Sequence, residues 1–178
     1  KKNAALGYDY VAAPASAELL FLRHMPDKAL KPYFNILRTV VLTSRHEMDP
    51  DMMVEASLKI DVHGNVEHTA AGGFGPVHAL DRALRRALTR WYPELEQMHL
   101  IDYKVRVLSP TRTNIPDAAE ENGTGSNVRV LIESSDGVAT WTTVGVSYNI
   151  IEASLEALAD AVTYKLYKTE QARWRAEC

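Results

Sequence analysis

Between Val54 and Val62 apolar and polar residues alternate without a break, with Val54, Ala56, Leu58, Ile60 and Val62 set against Glu55, Ser57, Lys59 and Asp61. A period of two belongs to a β-strand with one buried and one solvated face. His63-Gly64-Asn65 predicts a tight turn into a returning strand, Val66 to Ala71, so the two form an antiparallel hairpin. Upstream, Tyr33 to Leu42 is rich in β-branched and aromatic residues and predicts a preceding strand. Past Gly72-Gly73-Phe74-Gly75-Pro76 the period changes. Val77, Leu80, Leu84, Leu88 and Trp91 recur at helical spacing, and Arg82, Arg85, Arg86 and Arg90 fall mostly on other faces. Pro76 stands where a first helical residue belongs.

The same order then returns. Ile101, Tyr103, Val105 and Val107 alternate with Asp102, Lys104 and Arg106, which predicts a strand over Leu100 to Leu108. Val128 to Ser134 is a strand, Ser135-Asp136-Gly137 a turn, and Ala139 to Val146 the returning strand. A helix begins near Ile150, with Ile151, Leu155, Leu158, Val162 and Leu166 on one stripe. Turn residue Gly64 corresponds to Gly137 (137 − 64 = 73) and helix residue Ala79 to Ala153 (153 − 79 = 74). Self-similarity at a near-constant offset implies a duplicated unit. The predicted fold is therefore α+β: duplicated βββα units with pseudo-twofold symmetry, their helices packed on antiparallel sheets.

A short helix from Pro14 to Met25, stopped by Pro26, precedes these units. The expected organisation is a connector over 1–32 and a domain over 33–178. The domain divides into a first unit of about 33–97, a second of about 98–167 and a C-terminal helical extension, 168–178. Ser109 to Ser126 has two prolines, two glycines and three threonines, with acidic Glu120-Glu121, and predicts a mobile loop. The chain starts at Lys1-Lys2 without an initiator Met and reads as a piece of a longer protein.

Composition narrows the range of functions. Twenty Lys and Arg against 23 Asp and Glu give a net charge of −3, which offers no general attraction to nucleic acid or to an anionic membrane. No apolar run approaches the roughly 18 residues of a membrane span. A single cysteine, Cys178, forms no intrachain disulfide, and a reducing cytoplasmic setting is expected. The six histidines, His24, His46, His63, His68, His78 and His99, show neither His-x-His nor zincin spacing, so no metal or other cofactor is expected in this chain.

The glycine loop is the first candidate for chemistry, since glycines admit a ligand to the backbone and a helix N-terminus favours an anion. It is no nucleotide fingerprint, because Pro76-Val77-His78 stands in place of a third glycine and no Lys-Ser/Thr follows. A strand-to-helix turn also explains it. Its counterpart, Gly145-Val146-Ser147-Tyr148-Asn149, leads into the second helix with Asn149 as N-cap and Glu152 three residues on, a capping box. Ser134-Ser135-Asp136-Gly137 reads as a hairpin turn, without the context of a catalytic serine. Asp81 and Asp102 fit salt bridges or a solvated face, and His78 with Asp81 is the one local acid/base pair that would serve an independent enzyme. Trp91, Tyr103 and Trp141 are assigned to a core or an interface.

Three segments resemble one known family: Gly72-Gly73-Phe74-Gly75-Pro76-Val77-His78-Ala79-Leu80-Asp81-Arg82-Ala83-Leu84, Asp102-Tyr103-Lys104-Val105-Arg106-Val107-Leu108 and Gly145-Val146-Ser147-Tyr148-Asn149-Ile150-Ile151-Glu152-Ala153-Ser154. With Val128-Arg129-Val130-Leu131-Ile132-Glu133 they resemble the C-terminal regulatory domain shared by 2-isopropylmalate synthases and citramalate synthases. The likeness covers roughly residues 33 to 167. Asp102-Tyr103-Lys104-Val105-Arg106-Val107, Trp141-Thr142-Thr143-Val144-Gly145-Val146 and the leading Gly7-Tyr8-Asp9-Tyr10 look most like the citramalate synthase branch.

The resemblance implies a homodimerising domain that binds a branched-chain amino acid end-product and shuts down a catalytic barrel elsewhere in the parent chain. The parent would condense acetyl-CoA and pyruvate to (R)-citramalate, with isoleucine as inhibitor. This chain would not itself be an enzyme, and the divalent metal would belong to the barrel. Carried over by motif, the effector-binding residues are Gly73, Gly75, Val77, His78, Leu100, Tyr103, Val107 and Val146. Helix N-terminal amides would meet the carboxylate and Val77, Leu100, Val107 and Val146 the apolar side chain. Asp102 is a candidate partner for the ammonium, although strand alternation directs it away from Tyr103. Phe74 stands where smaller residues are common in the family. Alternatives are a leucine-binding domain of a 2-isopropylmalate synthase and a dimerisation module without an effector.

Overall fold

The computed structural model describes residues 7–25, 30, 32–46, 49–108 and 126–177. Cys178, the helix stop at Pro26 and residues 109–125 of the expected loop lie outside the described residues. Helix α1 (Pro14–Arg23) is followed by β1 (Asn35–His46), β2 (Asp49–Val62), β3 (Asn65–Gly73), α2 (Pro76–Leu88), a 3-10 helix (Pro93–Gln97), β4 (His99–Val107), β5 (Val128–Ser135), β6 (Thr140–Ser147) and α3 (Ile150–Glu177). The strands form two three-stranded sheets, β1-β2-β3 and β4-β5-β6, as the α+β reading with a repeated βββα order expects.

The described residues fall into two compact units. One takes in 22–99 and 162–178, the other 1–21 and 100–161. In the first, β2 pairs antiparallel with both β1 and β3. Val54, Ala56, Leu58, Ile60 and Val62 are all buried, with at most 5% of their surface exposed. Opposite them α2 buries Ala79, Leu80, Ala83, Leu84, Ala87 and Leu88, a stripe at helical spacing. At the β2–β3 turn His63 (φ 52°) and Gly64 (φ 85°) both take the left-handed conformation, the requirement of a two-residue type I′ hairpin between paired Val62 and Asn65.

The stripe stops short of its expected end. Helix α2 closes at Leu88, whose carbonyl accepts from the backbone N–H of both Trp91 and Tyr92. Tyr92 precedes Pro93 and so leaves the helical region (φ −134°, ψ 79°). Trp91 is half-buried, its indole N–H donating to Glu67 Oε1 at 3.3 Å. The 3-10 helix that follows, with no counterpart in the expected pattern, buries Leu95 and leads to buried Met98.

In the other unit β5 and β6 pair antiparallel around Gly137 (φ 83°), with Asp136 Oδ1 accepting from the N–H of Val138 and Ala139. Val130, Ile132, Trp141, Ala153, Ala157 and Leu158 are buried, as are Ala13, Ala15 and Leu19 of the N-terminal segment. Trp141 donates its indole N–H to Ala161 O at 3.1 Å, which places it in the core. Helix α3 is one continuous element of 28 residues. No described helix is long and apolar enough to cross a membrane.

Candidate functional site

The eight residues assigned to effector binding are divided between the units. Gly73, Gly75, Val77 and His78 stand at the β3–α2 junction of one, and Leu100, Tyr103, Val107 and Val146 belong to the other.

At the β3–α2 junction the two key glycines do different things. A Cβ built on Gly73 would lie 2.5 Å from Ala79 N and 2.9 Å from Ala79 Cα, so this residue lets the helix pack against the strand end. A Cβ on Gly75 would meet nothing within 4 Å among the described residues. Gly75 is the N-cap, with extended backbone and no side-chain cap, and its carbonyl accepts the first helical bond from Ala79 N–H at 2.9 Å. Pro76 has no N–H. The first-turn amides of Val77 and His78 have no intrahelical acceptor, as at any helix start, and Gly75 supplies none from a side chain. Phe74, 97% exposed, stacks on His78 with ring centroids 5.4 Å apart. Its backbone N–H donates to His78 Nδ1 at 3.3 Å, which fixes that nitrogen as the acceptor.

The β6–α3 junction is closed by its own side chains. Asn149 Oδ1 accepts from Ile151 N–H at 2.8 Å, the expected N-cap. The capping box is not formed as expected. Glu152 Oε2 accepts from Ser147 Oγ at 2.6 Å, and Ser147 Oγ takes the Asn149 N–H at 3.1 Å, so a serine stands between the two ends of the box. Gly145 is as crowded as Gly73, since a Cβ there would run into the carbonyl oxygen of Ala153.

Tyr103 reaches Ser154 Oγ of α3 with its hydroxyl at 3.0 Å and so lies on the helix-facing side of its sheet. Val146 lies on the opposite side, since its neighbour Gly145 faces α3. Leu100 is half-buried and Val107 is 60% exposed. Asp102 pairs with Lys104 at 2.5 Å, and that hydrogen bond lowers its carboxyl below the ordinary range and raises the lysine.

Among the remaining candidates, Asp81 is held by Arg85 Nε at 2.9 Å through both carboxylate oxygens. Arg85 continues to the carbonyls of Leu95 and Met98. The His78–Asp81 pair is therefore not formed, because His78 Nδ1 serves the loop and Asp81 the helix. His63 pairs with Tyr92, and His68 Nε2 lies 2.9 Å from Ser57 Oγ. Among the described residues no three His, Cys, Asp or Glu side chains come together as a metal site.

Sequence reading missed the side chains that cover the sheet edges. Arg82 and Arg86 donate to the carbonyls of Gly72 and Ala70 on β3, at 2.8 and 3.2 Å. Glu156 accepts from Val146 N–H on β6 at 3.0 Å. The offset of 74 residues links Arg82 to Glu156 (156 − 82 = 74) and was the available signal.

Comparison with known proteins places these features in one family. Residues 12–166 match the LeuA allosteric (dimerisation) domain. The chain is 47% identical to the (R)-citramalate synthase of Aquifex aeolicus and 44% identical to that of Geobacter sulfurreducens, in each case over 93% of this chain and 29% of the relative. It is 29% identical to the 2-isopropylmalate synthase of Aquifex aeolicus over 77% of this chain and 23% of that protein. The chain thus spans under a third of the length of the curated relatives it matches. From the family match and these identities, the chain belongs to the LeuA allosteric (dimerisation) domain family.

Proposed function

We propose that this chain is the regulatory and homodimerising domain of an (R)-citramalate synthase, and that it binds isoleucine as feedback inhibitor. The observation that carries the reading is the family match over residues 12–166, joined to 47% identity with a protein named (R)-citramalate synthase. The parent enzyme condenses acetyl-CoA with pyruvate to (R)-citramalate in the cytoplasm, on a catalytic barrel outside this chain that carries the divalent metal. The chain itself is non-catalytic and uses no cofactor.

The effector-binding residues proposed on the family resemblance are Gly73, Gly75, Val77, His78, Leu100, Tyr103, Val107 and Val146. The residues of the β3–α2 junction offer amides and the positive end of the α2 dipole to the carboxylate, supported by the missing side-chain cap at Gly75. Val107 offers exposed apolar surface. Regulation follows from linkage: isoleucine binds one quaternary arrangement more tightly and shifts the population toward it. A leucine-binding domain of a 2-isopropylmalate synthase is the second reading, with the 29% identical relative behind it.

Parallel calorimetric titrations with isoleucine, leucine and valine test the proposal. Saturable binding strongest for isoleucine supports it, and binding strongest for leucine supports the second reading. No heat with any of the three, together with a dimer in analytical ultracentrifugation, leaves a dimerisation module alone.

A further inference from the structure

Strand β6 is the outer strand of its sheet, and side chains of the N-terminal segment and of α3 take its outward amides. Val144 N–H donates to Ser16 Oγ at 3.0 Å, and Ser16 Oγ donates to Asp160 Oδ2 at 2.8 Å. Both side-chain partners are buried, with Ser16 3% and Asp160 7% exposed. Two residues along the strand, Val146 N–H donates to Glu156 Oε2 at 3.0 Å, and Glu156 Oε1 accepts from the Tyr8 hydroxyl at 2.6 Å. Arg129 Nη1 donates to Gly7 O at 3.2 Å and stands 3.4 Å from Asp9 Oδ2.

The backbone of the segment is fitted to this place. Gly7 has φ 101°, and a Cβ there would strike the Leu108 side chain and stand 3.9 Å from Val146 Cγ1. Ala13 and Ala15 are at most 1% exposed. Two successive outward-facing amides of β6 are thus satisfied through side chains that also hold the segment: Ser16 is part of it, and Glu156 grips Tyr8. If the segment leaves, Val144 N–H loses Ser16 Oγ as its acceptor. A buried backbone amide without an acceptor is costly, so docking of the segment and order along β6 form one cooperative element.

We infer that Gly7–Ser16 is a regulatory strap, and that isoleucine binds more tightly when the strap is docked on β6. The inference rests on the effector reading above, because Val146 is both a proposed effector residue and the β6 residue against which Gly7 and Glu156 fit. By reciprocity, whatever loosens the strap weakens isoleucine by the same factor that isoleucine tightens the strap. The strap residues Tyr8 and Ser16 therefore act as positioning residues that touch no effector.

Hydrogen-exchange mass spectrometry of peptides covering 7–16 and 140–148, with and without saturating isoleucine, tests this alongside calorimetry on Tyr8→Phe and Ser16→Ala. Expected are slower exchange in both peptides on adding isoleucine, and isoleucine affinity reduced about fivefold or more in Tyr8→Phe. Should Ser16→Ala fail to fold, Tyr8→Phe alone carries the test, since it removes only a hydroxyl. Isoleucine binding that leaves 7–16 exchange unchanged, with wild-type affinity in Tyr8→Phe, overturns the strap and leaves the effector reading standing. Absence of any isoleucine binding to the unaltered chain overturns the effector reading and the coupling with it.

Discussion

Arg82 and Glu156 occupy matching places on α2 and α3, and each reaches the edge strand of its own sheet with opposite polarity. Arg82 donates to Gly72 O at 2.8 Å and Glu156 accepts from Val146 N–H at 3.0 Å, with Gly72 and Val146 themselves 74 residues apart (146 − 72 = 74). The threonines repeat with the same offset and without the reversal: Thr69 Oγ1 donates to Ala83 O at 2.9 Å and Thr143 Oγ1 to Ala157 O at 2.8 Å. Duplication preserved the strand–helix joint and changed the chemistry of the exposed edge.

That difference has a measurable consequence. Glu156→Ala leaves a β6 amide and the Tyr8 hydroxyl without their acceptor in a partly buried place, so the cost should be about 1–3 kcal/mol. Arg82→Ala removes an exposed contact and should cost less than about 1 kcal/mol. Urea unfolding of the two variants compares them directly, and equal costs would contradict the assignment of edge cover to Glu156.

The glycines separate by their surroundings. Gly145→Ala drives a Cβ into backbone at Ala153 and should destabilise by about 1–3 kcal/mol or more. Gly75→Ala meets open space on extended backbone and should stay within about 0.5 kcal/mol of the unaltered chain. Thermal melts of both decide the matter.

Ser134 is fully buried, and its hydroxyl has no hydrogen-bond partner among the described residues. Removing an unsatisfied buried hydroxyl is favourable, so Ser134→Ala should raise stability by up to about 1 kcal/mol, a gain of about 2–4 °C in Tm for a chain of this size. A lower Tm would mean that this hydroxyl contributes an interaction to the folded state.

Alkaline pH should weaken the fold through two tyrosines. Burial and then a hydrogen bond to a carboxylate, Glu156 for Tyr8 and Glu170 for Tyr33, raise both phenols well above their ordinary value of 10.0. The folded state holds these protons more tightly than the unfolded chain. Their contribution is therefore complete below pH 10 and is lost as pH rises above it. Tm should fall more steeply above pH 10 in the unaltered chain than in a Tyr8→Phe, Tyr33→Phe double variant. Parallel curves would contradict the two shifts.

Legibility in the sequence followed the length of the pattern. Strand β2 was readable because five consecutive inward positions from Val54 to Val62 face one helix and all are buried. On β4 the alternation located the strand but not the burial: Ile101, Val105 and Val107 are 49%, 41% and 60% exposed, since alternation records which residues share a face and not what covers it. Trp91 fitted the helical stripe, yet Pro93 ended the helix ahead of it. The N-cap at Asn149 depends on adjacent residues and was legible, whereas the intrusion of Ser147 depends on local backbone geometry. Contacts such as Ser16–Asp160 and Tyr8–Glu156 join residues more than 140 positions apart and leave no periodic trace.

Isoleucine calorimetry on the unaltered chain and on Gly75→Trp decides whether α2's open N-terminus takes part in binding an amino-acid effector. Among the described residues nothing beyond its chain neighbours lies within 4 Å of the Gly75 Cβ position, so the fold should accept the indole while the approach to the amides is blocked. Saturable heat is expected for the unaltered chain, and its loss in a folded Gly75→Trp variant. Undiminished isoleucine binding in that variant would contradict a role for that N-terminus.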